Sequence, residues 1–119
     1  MQMAKHTITI YHNPRCSKSR QALKLLEEQG SDIEVIRYLD DKPDKKKLRI
    51  LLKKLGLSAE ELIRKNEQIY KTNYKGKELS EAAWIEAMVT YPKLIERPIV
   101  IKGDKAVVGR PPENVLKLL

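Results

Sequence analysis

Cys16 is the only cysteine in the 119-residue chain, and its neighbours are polar: Tyr11-His12-Asn13-Pro14-Arg15-Cys16-Ser17-Lys18-Ser19-Arg20. A strand-forming run, the turn signal His12-Asn13-Pro14 and a following helical pattern place this cysteine at a helix start. Unpaired backbone N–H groups and the helix dipole favour negative charge there. A free thiol of pKa ~8.5 can fall to roughly 3.5–7.5 in such a place, especially beside cations. Arg15, Lys18 and Arg20 supply the cations, and Ser19 is placed to donate a hydrogen bond to a thiolate three residues earlier. His12, four residues before the cysteine, is placed to tune the thiol or to orient the loop, or simply to hydrogen-bond to backbone. The same N–H groups and charges would hold a tetrahedral oxyanion beside the sulfur.

The alternative for Cys16 is a small buried hydrophobe, the usual fate of a free cysteine. Flanking Arg, Ser and Lys favour the reactive thiol. Two histidines and one cysteine leave too few soft ligands for a metal site. A C-x-x-C oxidoreductase resolves its mixed disulfide internally, whereas here Ser19 occupies the second position. Any redox cycle therefore needs an external thiol, such as glutathione or a partner protein.

The elements that position these residues follow from periodicity. Thr7 to Tyr11 alternates and is β-branched, which predicts a strand. A helix is expected from about Cys16 to Gln29, burying Ala22, Leu23, Leu25 and Leu26 and stopped by Gly30. Ile33 to Leu39 reads as a second strand, giving a βαβ unit with a parallel crossover. Asp44 caps a helix whose Leu48, Leu51, Leu52 and Leu55 repeat at three and four residues as far as Gly56. Ser58 with Glu61 reads as a capping box for a short helix reaching Arg64. Lys65 to Glu78 is mostly polar and reads as loop. Ser80 starts a helix carrying Ala83, Trp84, Ala87 and Met88 inward, closed by Tyr91-Pro92.

Pro98 to Ile101 and Ala106 to Gly109 read as strands around the hairpin turn Lys102-Gly103-Asp104-Lys105. Pro111 and Pro112 open a terminal helix expected to turn Val115, Leu116 and Leu119 to the core. The order is strand–helix–strand, then helices, then strand–strand–helix. It predicts one α/β domain over 1–119, a mixed sheet with flanking helices on the thioredoxin plan, with a helical insertion.

Net charge is +8, which admits nucleic acid, acidic membranes or small anions as partners. The densest basic cluster, Lys45-Lys46-Lys47 with Arg49, Lys53 and Lys54, falls on the amphipathic helix and reads as a solvated face. Few exposed aromatics are available to stack on bases, so nucleic acid is not the expected partner. Phe is absent and there is one Trp, so the interior is expected to be largely aliphatic. One cysteine forms no internal disulfide, Met1 to His6 lacks the apolar core of a signal peptide, and no apolar run approaches ~20 residues. The expected location is the cytoplasm.

The segment from Tyr11 to Arg20 resembles the active-site loop of the glutaredoxin-linked arsenate reductases. Three further segments match in order: Leu62-Ile63-Arg64-Lys65-Asn66, Glu96-Arg97-Pro98-Ile99-Val100 and Gly109-Arg110-Pro111-Pro112-Glu113. The resemblance covers nearly the whole chain and is strongest to the short, YfgD-like bacterial branch. It implies that Arg64, Arg97 and Arg110 surround Cys16 and bind the oxyanion, and that Pro98 is a cis proline facing the cysteine. Singly, each arginine has an ordinary structural role available: ending a helix for Arg64, a surface position for Arg97, pairing with Glu113 for Arg110.

The implied reaction is reduction of arsenate to arsenite through a covalent Cys16–arsenic adduct. Glutathione and a glutaredoxin act as co-reductants, no cofactor is bound, and the protein is a monomer. Arginine suits the role because its planar fork pairs bidentately with oxyanions and stays charged. Two departures bear on the substrate: well-known arsenate reductases continue beyond the position of Leu119, and more charge surrounds this thiol. Two alternatives remain at this stage. One is an Spx-like regulator binding RNA polymerase, whose C-x-x-C switch is missing here. The other is a glutathione-dependent thiol reductase, which needs Cys16 but depends less on the three arginines.

Overall fold

The computed structural model describes residues 7–30 and 32–119. The reading of Met1 to His6 as lacking a leader's apolar core falls outside them. The described residues group into two compact units: one made of the chain through Tyr38 together with Arg97–Leu119, the other Leu39–Glu96.

The first unit carries a four-stranded mixed sheet: β1 (Thr7–Tyr11), β2 (Asp32–Ile36), β3 (Ile99–Lys102) and β4 (Lys105–Val108), in the order β2-β1-β3-β4. β1 pairs parallel to β2, with Ile10 opposite Val35, and antiparallel to β3, with Ile10 opposite Val100. β3 returns as β4 through a two-residue turn at Gly103-Asp104, where Gly103 takes φ of 60°. This is the hairpin the sequence predicts, with each strand lying one residue nearer the turn. β2 ends at Ile36, three residues short of the expected Leu39, because the chain turns at Tyr38 to Asp40.

Helix α1 (Ser17–Glu28) and the 3-10 helix Pro112–Leu118 join β1 and β3 in one aliphatic core of Ile8, Ile10, Ala22, Leu26, Val100 and Val115. Leu23 and Leu25 pack partly against it. The terminal helix corrects an expectation. Read with an α-helical period, Val115, Leu116 and Leu119 faced inward; in the structure Leu116 and Leu119 are 39% and 47% exposed. With three residues per turn the inward face is Pro112, Val115 and Leu118, because a 3-10 helix eclipses i and i+3.

The second unit is helical. α2 (Lys45–Leu55) starts where the Asp44 carboxylate accepts the Lys47 N–H at 2.8 Å and stops at Gly56. It buries Leu48, Leu51 and Leu52 and leaves its lysines at the surface, Lys45 pairing with Glu86 at 2.7 Å. The Ser58–Glu61 capping box forms with both reciprocal bonds, but the helix it opens is one 3-10 turn, Glu60–Leu62, short of Arg64. Ile63 leaves the turn to bridge Ile95.

Lys65 to Glu78 is not all loop: α3 spans Gln68–Asn73. Its apolar signal is aromatic and sparse. Tyr70 stacks on Trp84 of α4 (Glu81–Thr90) at 6.5 Å between ring centroids, and Tyr74 meets Trp84 at 6.0 Å and Tyr91 at 6.4 Å. The aliphatic interior expected from composition therefore describes the cluster between the sheet and α1, in a unit that also buries Tyr11 and Tyr38, while the helical unit adds an aromatic cluster. In α4 Trp84, Ile85, Ala87 and Met88 are buried, with Ala83 only partly so. Among the described residues no helix is long and apolar enough to cross a membrane.

Candidate active site

Cys16 is the N-cap of α1, with extended backbone (φ −93°, ψ 122°). The loop before it is tied from both ends. The His12 N–H continues the β1–β2 ladder to the Ile36 carbonyl at 2.8 Å, and the Cys16 N–H closes a turn onto the Asn13 carbonyl at 2.9 Å. Asn13 Oδ1 accepts the Arg15 N–H at 3.0 Å, an Asx turn. The first turn of α1 then reaches back: Ser19 Oγ accepts the Asn13 N–H at 3.1 Å, and the Arg20 guanidinium donates to the Pro14 carbonyl at 2.8 Å. Arg20 thus braces the loop.

Ser19 differs from expectation. Its fully buried hydroxyl lies 2.6 Å from His12 Nδ1 and turns into the loop, so it is spent on His12 and Asn13. What Ser19 offers the sulfur is its backbone N–H. Burial pushes the Cys16 thiol up, and four influences outweigh it: the Ser19 N–H, the Arg97 side chain, the Lys18 N–H and the charge of Arg110. The net result holds Cys16 below its ordinary value. Both N–H groups come from the first turn of α1 and are directed at the sulfur, where they favour the thiolate. His12 is also held below its ordinary value, first by burial and then by the charges of Arg37 and Arg20.

Two arginines from the far end of the chain complete the site. Arg110 Nη2 lies 3.5 Å from Cys16 Sγ, while its Nε donates to the Arg97 carbonyl at 2.7 Å. Arg97 is 9% exposed. Burial works against its charge, but the Tyr38 hydroxyl and Cys16 more than compensate, so it stays a cation. The Arg97–Pro98 and Arg110–Pro111 peptides are both cis.

Gly109 makes this approach possible. Its N–H donates to the Pro98 carbonyl at 2.8 Å, and a Cβ there would meet Pro98 Cγ at 2.8 Å and Val115 Cγ1 at 3.2 Å. Asn114 spans the same corner, with Nδ2 on the Arg110 carbonyl at 2.9 Å and the Val108 carbonyl at 3.3 Å.

Cys16, His12, Ser19, Arg20, Arg97, Pro98 and Arg110 thus belong to one unit, and the structure ties Cys16 to both Arg97 and Arg110. Arg64 belongs to the helical unit. There its N–H donates to the Leu94 carbonyl and its Nε faces Glu67 Oε1 at 3.7 Å. Sequence reasoning missed three contributors. Asn13 carried a readable signal, an Asx residue before proline. Tyr38 and Asn114 carried none, since their roles depend on partners distant in the chain.

The arrangement offers a thiolate and two guanidinium groups converging on it, which suits nucleophilic attack on an anionic centre. The ArsC family model matches residues 11–118. The chain is 54% identical over 114 residues to the Escherichia coli K12 protein "Uncharacterized protein YfgD", covering 94% of this chain and 96% of that one. It is 47% identical over 114 residues to an arsenate reductase of Neisseria meningitidis serogroup A, covering 94% and 97%. A solved structure of an arsenate reductase from Vibrio cholerae superposes with a TM-score of 0.92 at 46% identity, covering 98% and 100%. The mixed sheet with flanking helices is accordingly the thioredoxin-like arrangement of these relatives, and the chain belongs to the ArsC family.

Proposed function

We propose that the protein is an arsenate reductase of the glutathione- and glutaredoxin-dependent kind, working in the cytoplasm as a monomer without a bound cofactor. The observation that carries this is Arg110 Nη2 at 3.5 Å from Cys16 Sγ, with Arg97 on the same sulfur. A thiolate flanked by two fixed cations is ready for an anion that must approach its own negative nucleophile. The guanidinium charges offset the repulsion between sulfur and oxyanion.

The Cys16 thiolate attacks arsenic, a sulfur–arsenic bond forms, and one arsenate oxygen takes up protons and leaves as water. Arg97 and Arg110 bind the remaining oxygens. Glutathione displaces a second oxygen as water and places its sulfur on arsenic. A glutaredoxin thiol then attacks that sulfur. The glutathione–glutaredoxin disulfide forms, the electron pair passes to arsenic, and arsenic falls from the pentavalent to the trivalent state. Water releases arsenite and returns Cys16 as a thiol. Ser19 at the second position of the C-x-x-S motif supplies no internal resolving thiol, consistent with external reductants.

The test is arsenate-dependent NADPH consumption coupled through glutathione reductase, glutathione and a glutaredoxin, comparing the protein with Cys16→Ser. Turnover lost completely in the variant is the expected result. An unmodified protein that binds and alkylates normally at Cys16 yet turns over no arsenate would remove arsenate as substrate.

A further inference from the structure

We propose that Asn114 is a positioning residue that holds Arg110 over the Cys16 sulfur. Arg110 reaches the thiol from a corner where β4 has ended and the 3-10 helix has not begun. β4 is an edge strand, and in its register with β3 the Val108 carbonyl points away from the ladder while the Arg110 carbonyl lies past the strand's end, so neither has a ladder partner. The Asn114 carboxamide meets both, at 3.3 and 2.9 Å. An amide NH2 has two hydrogens, and here each serves one carbonyl. The bridge straddles Gly109, which is pressed against Pro98 and Val115 with no space for a side chain.

The backbone of Arg110 is therefore pinned on both sides, by the Gly109 N–H to Pro98 before it and by the Asn114 amide on its own carbonyl. Its side chain needs this. Nε must meet the Arg97 carbonyl while Nη2 meets sulfur, and a fork engaged at two points tolerates little movement of its Cα. Aspartate at this position would set carboxylate oxygens against two carbonyls, and serine keeps one short donor. Among residues of this length only asparagine supplies both donors.

The consequence reaches the chemistry through Arg110 alone. Loosening the corner should weaken the cation's hold on the thiolate and on an incoming oxyanion, leaving the loop around Cys16 intact. The experiment measures the pH dependence of Cys16 alkylation by iodoacetamide in Asn114→Ala and in the milder Asn114→Ser, each also combined with Arg110→Met. Circular dichroism checks that every variant is folded.

In the single variants the alkylation midpoint should move to higher pH, with Ser between wild type and Ala. In the Arg110→Met background the further change should vanish, since coupled residues are not additive. KM for arsenate should rise about tenfold in Asn114→Ala, the size of one lost charge-assisted bond. A folded single variant with an unmoved midpoint overturns the proposal. So does a shift of equal size with Arg110 already removed, which would mean that Asn114 acts by another route. Should Asn114→Ala fail to fold, the Ser pair carries the same comparison. This inference extends the arsenate reading, but thiol titration needs no turnover, so the two fail separately.

Discussion

The sheet unit and the helical unit are built from different materials. Between β1, β3 and α1 the packed cluster is aliphatic, with Tyr11 and Tyr38 buried as single rings elsewhere in the unit, and polar side chains are concentrated at one edge, where His12, Ser19, Asn13, Asn114 and the two arginines fix each other. In Leu39–Glu96 four aromatic residues pack on one another instead, and the one arginine implicated in the site, Arg64, pairs with its own neighbour Glu67. Branched aliphatics fill a sheet face densely and without polar demands. The difference separates two kinds of fragility: truncation in the helical unit loses packing, whereas truncation at the sheet's edge loses chemistry.

The largest effect that would sharpen this contrast is Trp84→Ala. Trp84 is 2% exposed and touches both Tyr70 and Tyr74. Its removal should lower stability by about 3–5 kcal/mol, a substantial part of what a domain has. Urea unfolding followed by circular dichroism measures it. A loss below about 1 kcal/mol would mean that the aromatic cluster collapses onto the gap and is not the support of this unit.

Arg110→Lys probes the other side. Lysine keeps the charge but not the fork, so it cannot serve the Arg97 carbonyl and the Cys16 sulfur together. Stability should change little, whereas kcat/KM for arsenate should drop about ten- to a hundredfold, matching ~1.5–3 kcal/mol for a charge-assisted bond. Cys16 alkylation at neutral pH should slow as well. The thiolate is the reactive form, and weakening a cation that favours it moves its titration upward. Unchanged kinetics with altered stability would reverse the contrast.

How much of this was legible in the sequence follows the range of each interaction. β1 was readable to the residue, as were both caps of α2 and the N-cap of α4, because alternation and capping are local patterns. The aromatic helix α3 was not, since its inward residues, Tyr70 and Tyr74, gain meaning only against Trp84. The terminal helix misled because a 3-10 period was read as an α period. At the site, a thiol at a helix start was legible from the loop around Cys16, but the local pattern named Arg15, Lys18 and Arg20 as its cations, whereas the side chains that act on the sulfur are those of Arg97 and Arg110, and Lys18 contributes its backbone N–H. Which group of Ser19 faces the sulfur was not, since the hydroxyl and the backbone N–H are both one turn away. Arg97 and Arg110 were named through resemblance, and no local pattern placed them beside Cys16. Asn114 had no sequence signal at all, because its partner Arg110 lies 94 residues from Cys16 along the chain.

The smallest expected effect concerns pH. His12 is held below its ordinary pKa by burial, then by Arg37 and Arg20. Between an unfolded value near ~6.5 and the lower folded one, the unfolded chain binds the extra proton, so stability falls as pH falls. Cys16 is also depressed in the folded state, so its contribution is present above the ordinary thiol value and is lost as pH falls through the folded one. The two slopes share a sign, and their upper limits differ, near the ordinary imidazole value for His12 and near the ordinary thiol value for Cys16. Shifted groups of the helical unit titrate elsewhere: the Ser58 N–H lowers Glu61 from the carboxylate range, while burial and then Tyr91 raise Tyr74 from the phenol range. Pairs of urea titrations across pH should therefore lose the slope just below ~6.5 in His12→Gln, and the slope just below the ordinary thiol value of ~8.5 in Cys16→Ser. If His12→Gln kept the acidic slope unchanged, the imidazole would already be protonated in the folded loop. Its bond at 2.6 Å to Ser19 would then be donated from Nδ1, and His12 would be a further cation near the thiol and not a neutral prop.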